Sequence, residues 1–234
     1  PGASRGFVVT LPDPEQCVAD ALRTALIDAG VEVGDARVAG PGEPPASGVD
    51  VLTVTSPPVA DLLRDVLVDS DNLYAESLTR WLDPAPDGKT FAGAEPGLRA
   101  ALARAGVPDG AVVLADGSGL SRYGRTSPAA LTGLLAYADD QPWRDVFRDR
   151  LAVAGRSGTL RSRLTGAPTE GLVRGKTGSM TGVSNLAVYV PTPAGEYVVA
   201  VLIDGATAPR DELRAWQDEL VRQVASARRW RRAR

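Results

Sequence analysis

The chain has 234 residues, 44% of them hydrophobic and 24% charged, with a net charge of −3. It has no histidine, one cysteine (Cys17) and two lysines (Lys89 and Lys176), so arginine supplies 24 of its 26 basic side chains. These counts exclude a Ser-His-Asp hydrolase, a Cys-His protease, a His-ligated metal site, an internal disulfide and a basic field that gathers nucleic acid; acid–base work is left to carboxylates, lysine, tyrosine or hydroxyls.

The chain opens on Pro1-Gly2 without methionine, which is read as a processed or cropped start. Residues 6–11 read as a strand. Pro12-Asp13-Pro14 starts a helix that Gly30 ends, with Val18, Leu22, Ala25, Leu26 and Ala29 at helical spacing. Cys17 lies on that helix's apolar face and is expected to be buried. Residues 39–48 are a loop by composition, and Val49 to Thr55 suit a second strand. Ser56-Pro57-Pro58 resembles an N-cap followed by proline, leading into Leu62, Leu63, Val66 and Leu67. That helix breaks near Ser70, and another begins around Asn72. Residues 83–97, rich in Pro and Gly, read as a loop, with a helix over about 97–105 ending at Gly106.

Val112 to Leu114 is a short strand candidate before the turn Asp116-Gly117-Ser118-Gly119. Ser127-Pro128 caps a helix through Leu131, Leu134 and Leu135, and residues 151–166 read as loop plus a short helix. Leu172 to Lys176, Asn185 to Val190 and Tyr197 to Ile203 are three strands, the last two joined as a hairpin by residues 191–195. A terminal helix from about Pro209 places Leu213, Trp216, Leu220 and Val224 on a face that packs most simply on that sheet. No apolar run approaches the ~18 residues of a membrane span.

Two tripeptides carry chemistry. Ser70-Asp71-Asn72 sits at a helix junction, and Lys176-Thr177-Gly178 ends a strand and uses one of the two lysines. Either alone is a weak signal, and a helix cap or a polar strand end explains each equally well. Together, in this order and 106 residues apart, they match the second and third motifs of penicillin-recognising serine acyltransferases. The residue types suit attack on a peptide carbonyl whose substrate ends in a free carboxylate. Lys176 and Thr177 suit binding that carboxylate through charge-assisted hydrogen bonds. Gly178, without a Cβ, lets substrate backbone lie along the strand. The Ser179 N–H then serves as half of an oxyanion hole. Ser70 relays a proton to the leaving amine, and Asn72 donates its amide N–H to a substrate carbonyl. Asp71 is read as a capping or solvated carboxylate.

Four segments then carry a more specific resemblance: Ser-Asp-Asn-Leu-Tyr-Ala-Glu-Ser-Leu (70–78), Asp-Gly-Ser-Gly-Leu-Ser-Arg (116–122), Val-Ala-Gly-Arg-Ser-Gly-Thr-Leu-Arg (153–161) and Lys-Thr-Gly-Ser-Met-Thr-Gly-Val (176–183). In that order they resemble the class C low-molecular-mass penicillin-binding proteins, over about residues 12–205. These are bacterial D-alanyl-D-alanine carboxypeptidases/endopeptidases of the cell envelope. The resemblance implies an α/β (α+β) penicillin-binding/β-lactamase-like transpeptidase domain, an antiparallel sheet with helices on both faces. It implies an acyl-enzyme mechanism, β-lactam inhibition, an extracytoplasmic location, no cofactor, and peptidoglycan stem peptides ending in D-Ala-D-Ala as substrate. It also implies that Leu120 and Met180 line a pocket for the stem's side chain. The 116–122 turn suits a structural role and substrate contact equally.

The family acylates a serine in a Ser-x-x-Lys motif, and this sequence has none: position 86 is Pro and position 173 is Val. The chain is therefore expected to be the C-terminal part of a longer enzyme, inactive alone, with its sheet incomplete on the N-terminal side and the missing N-terminal part as its partner. Residues 1–55 are read as a lead-in strand, helix and loop from inserted domains, and 56–234 as the rest of the catalytic domain. A serine β-lactamase and a non-catalytic relative that binds wall peptide are the alternatives. Glu95-Pro96-Gly97-Leu98-Arg99 is set aside as a β-lactamase deacylation loop, because Arg99 stands where Asn is needed. The Arg-rich tail 228–234 suits a weak contact with anionic envelope polymer, but a solvated C-terminus is the simpler reading.

Overall fold

A computed structural model describes residues 11–40, 43, 53–85 and 89–227. The chain divides into two compact units, Pro1–Thr55 and Ser56–Arg234. In the first unit, α1 (Pro14–Asp28) is capped by Asp13, whose carboxylate accepts from the Gln16 N–H. Gly30, at φ +83°, ends it. Gln16 Nε2 donates to Ala36 O and Arg23 Nε to Gly34 O, which ties the following segment to the helix. No residue of α1 is buried, and Cys17 is exposed, contrary to the expectation from its apolar neighbours. Periodicity predicted the helix correctly, but nothing in its own unit covers the apolar stripe among the described residues. Residues 6–10, most of the 49–55 strand candidate and the Arg-rich tail lie outside the described residues; 53–55 are not strand.

The second unit opens with α2 (Val59–Arg64), which runs into a π-turn over Asp65–Asp69. Ser56 does not cap it. Pro58 stands at the N-cap and its carbonyl accepts from Asp61 and Leu62, because Pro57, preceding a proline, is held out of helical geometry. After Ser70, α3 (Asn72–Arg80) is capped by Asp71, which accepts from the Tyr74 N–H at 2.8 Å. The next helix, α4 (Phe91–Arg104), begins six residues earlier than the sequence suggested. Thr90 caps it, accepting from Gly93 N, while buried Asp83 accepts from Thr90 N and Oγ1. Those bonds fix the first turn, so the helix runs on through Pro96 despite its missing donor.

Val112 to Leu114 form no strand; Val113 makes a single bridge to Arg125. Then α5 (Pro128–Asp139) starts at the Ser127 cap, and α6 (Arg144–Asp149), absent from the sequence reading, follows. The sheet is an antiparallel meander of β1 (Ala152–Val153), β2 (Arg174–Met180), β3 (Val183–Thr192) and β4 (Gly195–Ile203), with a 3₁₀ turn at Gly158–Leu160 between the first two. Finally, α7 (Arg210–Ala225) packs on β3.

The core lies between α7 and one face of the sheet. Ala152, Ala154, Leu160, Leu164, Val173, Leu186, Val188, Val190, Val221, Val224 and Ala225 form one cluster. Each large aliphatic side chain among them contributes about 1.5–3 kcal/mol by leaving water. The buried face of α7 is rotated from the one expected. Trp216 is 58% exposed, while Gln217 and Asp218 are buried. Both polar side chains are satisfied: Gln217 Nε2 donates to Ser184 O, and Arg163 Nη2 donates to Gln217 Oε1 and Asp218 Oδ1. A hydrophobic stripe read alone misses such a pair. On the other face, Tyr189 OH donates to Leu135 O at 2.7 Å and ties α5 to β3. Burial pushes that phenol up to about 12. The sheet therefore carries helices on both faces, as the resemblance implied.

Candidate active site

Local rules place Ser70 and Lys176. The π-turn ends with Ser70 at φ 65°, ψ 46°, a left-handed backbone that a non-glycine residue adopts only when its surroundings hold it there. The Asp71 N–H closes the turn on Asp65 O. Lys176 is the third residue of β2, paired with Ala187. Its Nζ donates to Ser70 Oγ at 2.6 Å and to Thr177 O at 2.9 Å. Burial holds the Lys176 ammonium below its ordinary pKa.

β1 pairs with β2 only at Gly175 and Arg174, so among the described residues the edge from Lys176 to Met180 that faces away from β3 carries no strand partner. Thr177 and Gly178 are half-buried along that edge, and Ser179 is exposed. The fold does not require glycine at 178: a Cβ there meets Asn185 Cβ only at 3.5 Å, an ordinary contact. Asn185 pairs with Gly178, and its Oδ1 accepts from the Ile203 N–H. Asn72 opens α3 with an exposed side chain that makes no hydrogen bond among the described residues.

Met180 lines a cavity of about 520 Å³ with Asp116, Arg122, Arg125, Asn185 and Asp204. Leu120 does not line it; it is 54% exposed, and its neighbours Gly119 and Ser121 take that place. The cause is Asp116. Its carboxylate accepts from Ser118 Oγ and from the N–H groups of Gly119, Leu120 and Ser121, which turns the backbone inward and the Leu120 side chain out. Burial opposes the Asp116 charge, but these hydrogen bonds outweigh it and hold the carboxyl below its ordinary pKa. The turn also docks on α3: Glu76 Oε2 accepts from Gly117 N at 2.7 Å. Sequence reading gave no task to Glu76, although it lies in the 70–78 segment, or to Asn185; their long-range partners give them one.

A family model, the D-Ala-D-Ala carboxypeptidase 3 (S13) family, matches residues 2–226. The chain belongs to this family. The D-alanyl-D-alanine carboxypeptidase of Actinomadura sp. (strain R39) is 34% identical to this S13 chain over 210 residues, which cover 86% of the chain and 38% of that relative. The crystal structure of penicillin binding protein 4 (dacB) from Haemophilus influenzae, in complex with a β-lactam, matches 90% of the chain with a TM-score of 0.79 and 27% identity. It is itself covered to 51%. A class A β-lactamase from Bacteroides cellulosilyticus, at TM-score 0.53 and 21% identity, shares the fold. The S13 chain thus spans 38% of the Actinomadura relative and 51% of the Haemophilus structure. Its β-lactamase-like loop candidate is ordinary helix: Glu95 and Arg99 pair with each other inside α4 at 2.6 Å.

Proposed function

We propose that this S13 chain supplies one wall of a serine D-alanyl-D-alanine carboxypeptidase/endopeptidase site, with the nucleophile in a Ser-x-x-Lys segment outside these residues. What supports the reading most directly is the 2.6 Å contact of Lys176 Nζ with Ser70 Oγ, which joins the second and third motifs. The substrate is a peptidoglycan stem peptide ending in D-Ala-D-Ala, lying along the open edge of β2. Lys176 and the Thr177 hydroxyl hold its terminal carboxylate, and Asn72 donates to a backbone carbonyl. The nucleophilic serine bonds to the penultimate carbonyl carbon, whose oxygen takes charge against the Ser179 N–H. The peptide C–N bond breaks, and D-alanine leaves with a proton relayed through Ser70. Water then hydrolyses the acyl-enzyme. β-Lactams, which carry a comparable carboxylate and a strained amide, acylate the same serine.

The S13 family reading favours an extracytoplasmic location, in the periplasm or on the outer face of the envelope. Within it, Pro1–Thr55 leads from inserted domains into the catalytic domain. The ion pair of Glu95 with Arg99 favours the peptidase over a β-lactamase of the class A kind. The test is release of free D-alanine from a stem-like peptide ending in D-Ala-D-Ala by the intact protein. Release that disappears in K176M supports the reading. Binding of the peptide without release supports a non-catalytic relative instead.

A further inference from the structure

We infer that Gly158 is a positioning residue for Ser70, acting through Val68. The inference rests on the proposed function only for what Ser70 does, not for where it stands. Gly158 lies in the 153–161 segment, to which the mechanism gives no task. Its backbone is left-handed, at φ +53°, and it abuts the π-turn that ends at Ser70. A Cβ on Gly158 would stand 2.1 Å from Val68 O, 2.8 Å from the Val68 carbonyl carbon and 2.7 Å from Val68 Cγ1. The nearest of these is backbone, so no rotamer change relieves the overlap.

Neither side has room to yield. Behind Gly158, the Val153 N–H donates to Ser157 Oγ, and Ser157 N and Arg156 N both donate to Val153 O. Gly155 N donates to Leu160 O and Arg163 O. Ala152, Ala154, Leu160 and Leu164 are fully buried around this turn. On the facing side, Val68 is itself buried, two residues before Ser70.

These contacts close a circuit. β2 carries Lys176 and pairs with β1, at Ala152 with Gly175 and Val153 with Arg174. From β1 the chain turns rigidly to Gly158. Gly158 sets the height of the Val68 carbonyl, and the π-turn then presents Ser70 in its left-handed conformation. Lys176 Nζ meets Ser70 Oγ and closes the ring at 2.6 Å. The strand that holds one motif thereby fixes the distance to the other through a contact that only glycine permits.

The test uses the intact protein, with matched controls. G158A is compared with G106A, because Gly106 has a similar left-handed backbone, φ +70°, with nothing within 4 Å of its Cβ position. V68A is compared with V107A, since both valines are buried in this unit. Stopped-flow acylation by a fluorescent penicillin separates the acylation rate constant from the dissociation constant of the non-covalent complex. G158A and V68A are expected to lower the rate constant about 10- to 100-fold. Their dissociation constants stay within about twofold, because the carboxylate site on β2 is untouched. G106A and V107A lose melting temperature without that loss of rate. Equal rate losses in the controls, or wild-type rates in G158A and V68A, overturn the inference. If G158A fails to fold, V68A decides. If the wild-type protein takes no penicillin, the proposed function fails. The crystal structure of G158A (or of V68A) then decides the inference on its own: Ser70 Oγ beyond hydrogen-bond reach of Lys176 Nζ upholds it, and an unchanged contact overturns it.

Discussion

Lys176 Nζ donates to Ser70 Oγ across 2.6 Å, joining residues 106 positions apart in sequence. The lysine reaches that serine from a half-buried strand position where desolvation weakens its hold on a proton. The contact therefore joins the two motifs, while burial sets the ionisation of the lysine.

The first prediction concerns pH. A lysine depressed below its ordinary value of about 10.5 binds fewer protons folded than unfolded in the window between its folded value and 10.5. Stability of the wild type relative to K176M therefore rises with pH across that window and levels off above it. Below the window, the buried charge carries its full cost. Under the proposed function acylation runs the other way: the ammonium holds the carboxylate, so acylation is expected to be lost as pH rises through the depressed value. Melting curves and acylation rates of the two proteins from pH 6 to about 11 check both limbs.

Ser70 separates chemistry from backbone geometry. Its left-handed conformation costs a non-glycine residue about 1–2 kcal/mol. S70G is therefore expected to be more stable than S70A by about 1 kcal/mol. Both lose the hydroxyl, and both are expected to acylate about 10²- to 10⁴-fold more slowly. Denaturant titration and labelled-penicillin kinetics on the same two variants measure the two effects.

Gly178 is free of structural need, since a Cβ there meets only ordinary contacts. G178A is expected to melt within a few degrees of wild type, a shift of less than about 1 kcal/mol. It places a methyl where the proposed function seats substrate backbone, so acylation is expected to fall about tenfold or more. A large loss of stability with unchanged acylation contradicts this account of the residue.

The rotated face of α7 gives a stability prediction. Q217A removes the side-chain donor to Ser184 O and one of the acceptors of Arg163, which keeps Asp218, and is expected to cost about 2–3 kcal/mol. W216A, at a largely exposed side chain, stays within about 0.5 kcal/mol. Chemical denaturation of both variants distinguishes this face from the one that hydrophobic spacing suggests.

That difference shows where the sequence was legible and where it was not. The last two strands, the hairpin at 191–195 and the caps at Ser127 and Asp71 follow from local patterns, because turn chemistry and alternation act over a few residues. β2, expected to end at Lys176, begins at Arg174 and runs on to Met180. Ser70 sits at the end of an element, whereas Lys176 lies inside β2; the motifs of the candidate site were legible from their residue types and order. Gln217, Glu76 and Asn185 were not, since each takes its role from a partner far along the chain. The start of α4 was placed six residues late because its first turn is secured by Asp83, seven residues before Thr90. Leu120 stands outside the cavity that Met180 lines, in a turn whose N–H groups Asp116 gathers, a geometry that residue type alone does not disclose.

The most direct measurement is exposure of the intact protein to a labelled penicillin, followed by mass mapping of the modified peptide. The account predicts one adduct, on the serine of a Ser-x-x-Lys motif outside these 234 residues, formed rapidly in wild type and about 10²-fold or more slower in K176M. No adduct, an adduct on Ser70, or undiminished acylation of K176M contradicts it.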